Sequence, residues 1–343
     1  MNIIIQSARL TIAALIMLIL AVGFALPRQV SAQEAATIKV LVSTFPVYQF
    51  TRNVAAGSKQ LQVELMIPAQ LGCPHDYALT PQDMHKLAGA EVFIVNGLGL
   101  EEFLGAPLKN ANPNLRLIDS SNGISEILAY AGEDSETEEQ GHHENPHAMD
   151  HHHGNGGDAH AEEKQVHHNG PNPHLFASPR MAAQQVANIT RGLAAIVPAE
   201  KALYERNALV YMARLKELDA EFQQLGKRLV NHRIVTQHGV FDYLARDMGL
   251  EIVAVVAAHP GQAPSAAEAL DLVRAIKAKK AGAIFTEPQY PDSIAQTIAR
   301  ESGIPLAVLD PVANGPQAQA PLDYYESTMR TNLQTLADTL GTK

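Results

Sequence analysis

The run AEKALYERNALVYMARLKELDAEFQQLGKRL, residues 199–229, decides how the rest of the chain must be arranged. It holds no proline and is dominated by Ala, Leu, Glu, Lys and Arg, side chains that lose little freedom on entering a helix. Pro198 precedes it, at the first turn of a helix, where a missing N–H costs nothing. At 1.5 Å per residue the run predicts a helix of roughly 45 Å, longer than one small domain needs and long enough to bridge two lobes. The sequence on either side is built alike. Upstream, Ile38–Val42, Val63–Ile67, Glu91–Val95 and Leu115–Ile118 read as strands, with helices near 45–56, 81–89 and 100–110 and another over 179–196. Downstream, Arg233–Thr236, Glu251–Val256, Ala283–Thr286 and Leu306–Leu309 read as strands, with helices near 239–248, 265–280, 291–302 and 321–340. Strands that alternate with helices predict parallel sheets covered by helices. The expected class is therefore α/β: a first lobe over 33–197, a linking helix over 198–230 and a second lobe over 231–343. No sequence repeat relates the two halves.

Composition bounds the function. A chain of 343 residues, 46% hydrophobic and 18% charged, is globular and large enough for two domains. With no tryptophan, 5% aromatics and 36 acidic against 26 basic residues, it lacks the basic face of a nucleic-acid binder. Residues 1–32 carry Arg9, an apolar run from Leu10 to Leu26 and the small-residue site Val30-Ser31-Ala32, the pattern of a cleavable secretory signal peptide. No cysteine follows the apolar run, so no lipid anchor on a new N-terminal Cys is expected, and the exported chain is read as a periplasmic monomer without a membrane anchor. Losing Arg9 and Arg28 leaves 24 basic against 36 acidic residues, a formal charge of −12. Cys73 is the sole cysteine, so no internal disulfide supports the exported fold.

Histidine is the outlier. Nine of the 15, His142, His143, His147, His151, His152, His153, His160, His167 and His168, fall within 27 residues. The surrounding segment, 133–170, is acids, His, Gly and Asn with no apolar period, which predicts a flexible surface loop inserted in the first lobe. Crowded imidazoles point to metal. Near a reference pKa of about 6.5 they are mostly neutral at pH 7 and able to take up ions, and protonation below about pH 6 releases them. The loop is read as a weak collector of several ions, against the plainer reading of a dispensable linker.

Ligands of open parallel sheets bind beyond the carboxyl ends of the strands. His238 lies two residues past Ile234-Val235-Thr236, Glu287 directly follows Ile284-Phe285-Thr286, and Asp310 directly follows Ala307-Val308-Leu309. The first lobe adds His75, within Cys73-Pro74-His75-Asp76-Tyr77, and His174, within Asn172-Pro173-His174-Leu175. The plain alternative for Glu287 and Asp310 is capping of the helices that follow, and for the histidines a loop or capping role. His85, His232 and His259 read as ordinary surface or helix-face residues. Cys73 is either a thiolate ligand or an inert buried thiol.

These residues carry a resemblance. From about Ile38 to the C-terminus the chain resembles the cluster A-I solute-binding proteins of ABC transporters, receptors for zinc or manganese. The markers are Pro74-His75-Asp76-Tyr77-Ala78-Leu79-Thr80-Pro81-Gln82-Asp83, Val95-Asn96-Gly97 with Leu100-Glu101, and Asn172-Pro173-His174-Leu175-Phe176-Ala177-Ser178-Pro179. The second half adds His238-Gly239-Val240-Phe241-Asp242-Tyr243, Phe285-Thr286-Glu287-Pro288-Gln289 and Leu309-Asp310-Pro311. The resemblance implies two α/β lobes joined by a rigid helix, a membrane permease as partner, and one metal in the cleft held by His75, His174, His238 and Asp310. It also implies zinc rather than manganese, because the third ligand position carries His238 and not Glu.

Ligand chemistry agrees: three imidazoles and one carboxylate suit tetrahedral zinc, whereas manganese favours more oxygen. Copper and nickel compete on nitrogen sites, so a manganese, iron or broader transition-metal receptor is the alternative within the family. Glu287 is expected to hold the second N–H of a ligating imidazole, or to ligate on occasion. Three positions depart from the family pattern: Ala78 stands for the acid after the tyrosine, Asn172 for the Asp before Pro-His, and Phe176-Ala177-Ser178 for an aromatic-Leu-Asp run. Cys73 in the first ligand loop is unusual too. From other classes, an exported metal buffer or adhesin shares these features. A zinc hydrolase is disfavoured, since no His-Glu-x-x-His stands in the sequence and four protein ligands close the coordination sphere. The chain is therefore not expected to be an enzyme.

Overall fold

The computed structural model describes residues 37–72, 74, 77–130, 170–257, 264–316 and 320–343. The signal segment, Cys73, His75, His259 and the nine clustered histidines lie outside the described residues.

The first lobe is built on β1 (Ile38–Val42), β2 (Leu61–Leu65), β3 (Val92–Val95) and β4 (Arg116–Asp119), all parallel, in the order β2-β1-β3-β4. Its helices are α1 (Phe45–Val54), α2 (Pro81–Gly89), α3 (Gly105–Ala111) and α4 (Pro179–Ile196). A 3-10 turn over Pro198–Glu200 opens into α5 (Lys201–Arg228), 28 residues and about 42 Å long. The second lobe repeats the plan. β5 (Arg233–Thr236), β6 (Glu251–Val255), β7 (Ala283–Thr286) and β8 (Leu306–Val308) are parallel in the order β6-β5-β7-β8. They alternate with α6 (Asp242–Met248), α7 (Ala266–Lys279), α8 (Ser293–Ser302) and α9 (Tyr324–Leu340).

Side chains on a strand alternate between faces, and here each face serves a different core. Val40, Val42, Val92 and Ile94 join one cluster while Leu41, Phe93 and Val95 join another, with Leu87 and Leu104. In the second lobe Ile234, Ala283 and Phe285 join the first cluster, while Val235 and Ile284 join a third with Ile276 and Ile298. Burial on both faces explains why β3, and β7 from Ala283 to Phe285, read as unbroken apolar runs rather than alternating ones. Through the shared cluster runs α5, which buries Tyr204, Ala208, Tyr211, Leu215, Leu218, Phe222 and Leu225 at alternating spacings of four and three, one continuous stripe. Gly226 ends that stripe because a Cβ there would stand 2.1 Å from the Met248 carbonyl at the end of α6. The described residues from Thr37 onward form one compact unit, and none of their helices is long and apolar enough to cross a membrane.

Local chemistry fixes the boundaries. Thr80 and Asp83 form a reciprocal capping box at the start of α2, and Ser265 and Glu268 do the same for α7. Strand β2 begins at Leu61, two residues before the expected Val63, because Leu61 and Gln62 pair with Ile38 and Lys39. Met66 and Ile67 are buried and apolar like strand residues, yet their partner strand has already ended at Val42. The expected helix near 100–110 divides into a 3-10 turn, Glu102–Leu104, followed by α3. Helix α6 starts at Asp242 rather than 239, since Val240 N–H closes a tight turn on the His238 carbonyl at 2.9 Å.

Candidate metal centre

In the second sheet the strand order reverses between β5 and β7, so the crevice for a ligand lies beyond their carboxyl ends. Two of the expected residues stand there. His238 follows β5 by two residues and Glu287 follows β7 directly, and both side chains are fully buried. Nδ1 of His238 lies 2.5 Å from Glu287 Oε1. An ionised carboxylate only accepts, so Nδ1 carries the hydrogen, and in the neutral imidazole Nε2 is then the acceptor. Nε2 is buried with no hydrogen-bond partner among the described residues, an orphaned acceptor of the kind a metal satisfies. Glu287 is itself held: Gln289 Nε2 donates to its Oε2 at 2.7 Å. The Tyr290 ring meets His238 edge-on at 5.7 Å.

His174 reaches the same place from the first lobe. Its ring stands edge-to-face with that of His238, centroids 5.3 Å apart at 81°. Asn172 Oδ1 accepts both the His174 backbone N–H, at 3.0 Å, and Nδ1, at 2.9 Å. This again leaves Nε2 as the acceptor nitrogen of the ring. The loop is set by Asn96, just past β3 at the reversal point of the first sheet: Nδ2 donates to the Pro173 carbonyl at 2.8 Å, and Oδ1 accepts from Gln185 Nε2 at 3.0 Å. Asn96 is placed in turn by Glu101, whose carboxylate accepts from the N–H groups of Asn96 at 2.7 Å and Gly97 at 3.1 Å and from the Ser43 hydroxyl at 2.6 Å. Burial pushes the Glu101 carboxyl up to about 7, against the pull of those donors.

Asp310 stands two residues past β8, its backbone clasped by Asn332 of α9, which accepts from the Asp310 N–H at 2.9 Å and donates to its carbonyl at 2.7 Å. Oδ1 accepts from Val312 N–H at 2.8 Å, where Val312 takes φ +63°, uncommon for a β-branched residue. Burial pushes the Asp310 carboxyl up to about 6; the Val312 N–H opposes this and the nearby charge of Glu287 adds to it.

The structure therefore brings His174, His238 and Glu287 into one cluster, with Asp310 within electrostatic reach. Among the described residues no group of three or more His, Cys, Asp or Glu is placed to hold a metal ion. The loop that leads to His75 approaches this cluster: Gly72, at φ +73°, packs so closely that a Cβ would lie 2.9 Å from Gln289 Cγ. His85 is exposed on α2, and His232 places Nε2 2.8 Å from the Gly226 carbonyl. Sequence reasoning missed the positioning roles of Asn96, Glu101, Asn172, Gln289 and Asn332. Asn96 and Glu101 stood only as members of a motif, and Asn172 only as a departure from one.

Residues 40–339 match a family model described as ZnuA, the zinc-uptake complex component A, periplasmic. The chain belongs to this family. Among its relatives, the high-affinity zinc uptake system protein ZnuA of Bacillus subtilis (strain 168) is 28% identical over 339 residues, 98% of each chain. The zinc-binding lipoprotein AdcA of Streptococcus pneumoniae (strain ATCC BAA-255 / R6) is 29% identical over 308 residues, 90% of this chain, which spans 56% of that longer protein. Among solved structures, FpvC from Pseudomonas aeruginosa in complex with Mn2+ superposes with a TM-score of 0.70 at 26% identity, over 89% of this chain and 98% of that one. Family membership bears out the resemblance read from the motifs and makes the chain a component of an uptake complex rather than an enzyme.

Proposed function

We propose that this family member is a zinc receptor that captures one Zn2+ in the periplasm and delivers it to an ABC permease. The observation that carries the reading is the edge-to-face pair of buried imidazoles, His174 and His238, each with Nδ1 bonded to a side-chain oxygen, together with a His238 Nε2 that has no hydrogen-bond partner among the described residues. Neutral imidazole nitrogens favour zinc over manganese. His75 from the loop after Gly72 and Asp310 from the second lobe complete a four-coordinate site. Zinc is cargo here, held by ligands drawn from both halves of the chain. With Asp310 and Glu287 ionised, their two negative charges balance the dication, so the loaded site is neutral. Glu287 acts through His238, fixing its tautomer and raising its basicity. The ligand halves are the lobes 33–197 and 231–343 on either side of the 198–230 segment, and the mature chain is a monomer freed from residues 1–32 by cleavage. The clustered histidines from His142 to His168 collect ions for the cleft.

Support also comes from the relatives whose names state zinc uptake and zinc binding. The manganese-bound neighbour makes metal competition the decisive measurement. Protein stripped with chelator is titrated with zinc, manganese and copper, alone and in competition. The expected result is one tight zinc equivalent that manganese does not displace. His238→Ala is expected to weaken that site at least a hundredfold, with the far-UV circular dichroism of the metal-free variant as the check that it folds; its melting temperature falls, because Glu287 loses its buried partner. Equal zinc affinity in the variant refutes the site, and preference for manganese refutes the cargo. Deleting 142–168 is expected to remove the weak zinc equivalents and leave the tight one.

A further inference from the structure

The amide of Asn172 is fully buried and used at both ends. On one side stand only donors, the His174 backbone N–H and Nδ1, at 3.0 and 2.9 Å from Oδ1. On the other stand only acceptors, the Gly239 carbonyl and Asp242 Oδ2, at 2.9 and 2.6 Å from Nδ2. The orientation of the amide is therefore dictated by its surroundings. The backbone is secured as well: the Tyr243 hydroxyl donates to the Asn172 carbonyl at 2.7 Å and accepts from Leu128 N–H at 3.2 Å. Gly239 is the residue after His238, and Asp242 opens α6. One side chain thus joins the ring of His174 to the turn that carries His238.

We propose that Asn172 is a positioning residue that couples the two imidazole ligands across the lobes, so that the metal-free protein already holds them in register and zinc leaves only when this bridge yields. The proposal rests on the reading of His174 and His238 as zinc ligands. Chemistry makes the position specific to an amide. A carboxylate has two accepting oxygens: it keeps the bonds to His174, leaves the Gly239 carbonyl without its donor and sets a second carboxylate against Asp242. Loss of the donor to buried acceptors falls on the second-lobe side alone.

The test uses the full mature chain with Asn172→Asp and with the exchanged pair Asn172→Asp/Asp242→Asn, in which the amide at 242 donates to the carboxylate at 172. Residue-level amide exchange is followed by NMR without metal, and zinc release is followed by chelator chase. Expected for Asn172→Asp are faster exchange at Val240 N–H with His174 N–H still protected, and zinc release faster by ten- to a hundredfold, the usual scale for a residue that orients a ligand. The exchanged pair is expected to return both toward wild type. Wild-type behaviour of Asn172→Asp in both readouts overturns the proposal. So does equal loosening of both amides with no recovery in the exchanged pair, which assigns Asn172 to packing. Absence of zinc binding by the wild-type protein, with the exchange pattern as expected, removes the zinc reading and leaves the coupling of the lobes standing.

Discussion

Glu287→Gln isolates the charge behind His238. The substitution keeps the size of the side chain and one carbonyl oxygen, which can still accept from Nδ1, 2.5 Å away in the wild type. The new amide nitrogen then faces Gln289 Nε2, and Gln289 can turn over, because its Oε1 is buried with no hydrogen-bond partner among the described residues. Geometry is thereby preserved and only the charge is lost. The loaded site, neutral when Zn2+ meets two carboxylates, is left with one uncompensated positive charge in a fully buried place. Residues that orient a metal-ligating imidazole are worth 10–100-fold in affinity, so zinc binding should weaken by about 1.4–2.8 kcal/mol. The assay is a competitive zinc titration against a chelator of known affinity at constant pH, with thermal melting of the metal-free variant as the control for folding. Affinity within twofold of wild type would show that the carboxylate does not reach the metal through His238. A loss beyond a thousandfold would also refute the reasoning, since it would make Glu287 a direct ligand.

Glu101 gives a pH signature. Its folded pKa of about 7 exceeds the ordinary 4.5, so the folded chain keeps a proton that the unfolded chain releases; stability falls as pH rises through that window, by up to about 3 kcal/mol. Glu101→Gln, having nothing to titrate, is expected to show a flatter profile in urea melts from pH 4.5 to 8, and parallel profiles for the two proteins would remove the assignment. Gly226→Ala forces a methyl to within 2.1 Å of the Met248 carbonyl, a backbone atom that cannot step aside, and should cost at least about 2 kcal/mol in chemical denaturation. An unchanged midpoint would mean that α5 and α6 do not pack this closely. Tyr243→Phe removes the hydroxyl that joins Asn172 to Leu128, at an expected cost of about 1–2 kcal/mol; measurement of no loss would show those bonds to be replaced by water.

Much of this was legible because the physics is local. The 31-residue run from Ala199 to Leu229 contains the whole of α5, and apolar runs such as Val92–Val95 mark strands buried on two faces. The rim positions of His238 and Glu287 follow from counting past the ends of strands. What the residues could not give is pairing over distance. The start of β2 depends on Ile38 and Lys39, more than 20 positions away, so hydrophobicity alone slid the strand toward Met66 and Ile67. The common strand order of the two lobes left no sequence repeat, since it is kept by register and not by side-chain identity. Asn172 read as a deviation because its partners, Gly239 and Asp242, are 67 and 70 residues distant.

The apolar cluster around α5 takes in Val40 and Ile94 from one sheet and Ile234 and Phe285 from the other. Neither lobe can melt without stripping the inner face of its neighbour. Calorimetry of the metal-free chain should therefore record one peak, its van 't Hoff and calorimetric enthalpies equal, rather than two overlapping ones. The halves are thermodynamically inseparable, and a chain cut within α5 yields two fragments that each lack a wall of their own core. At the proposed site, exchange of the ion would then fall to the loops at the rim rather than to separation of the lobes.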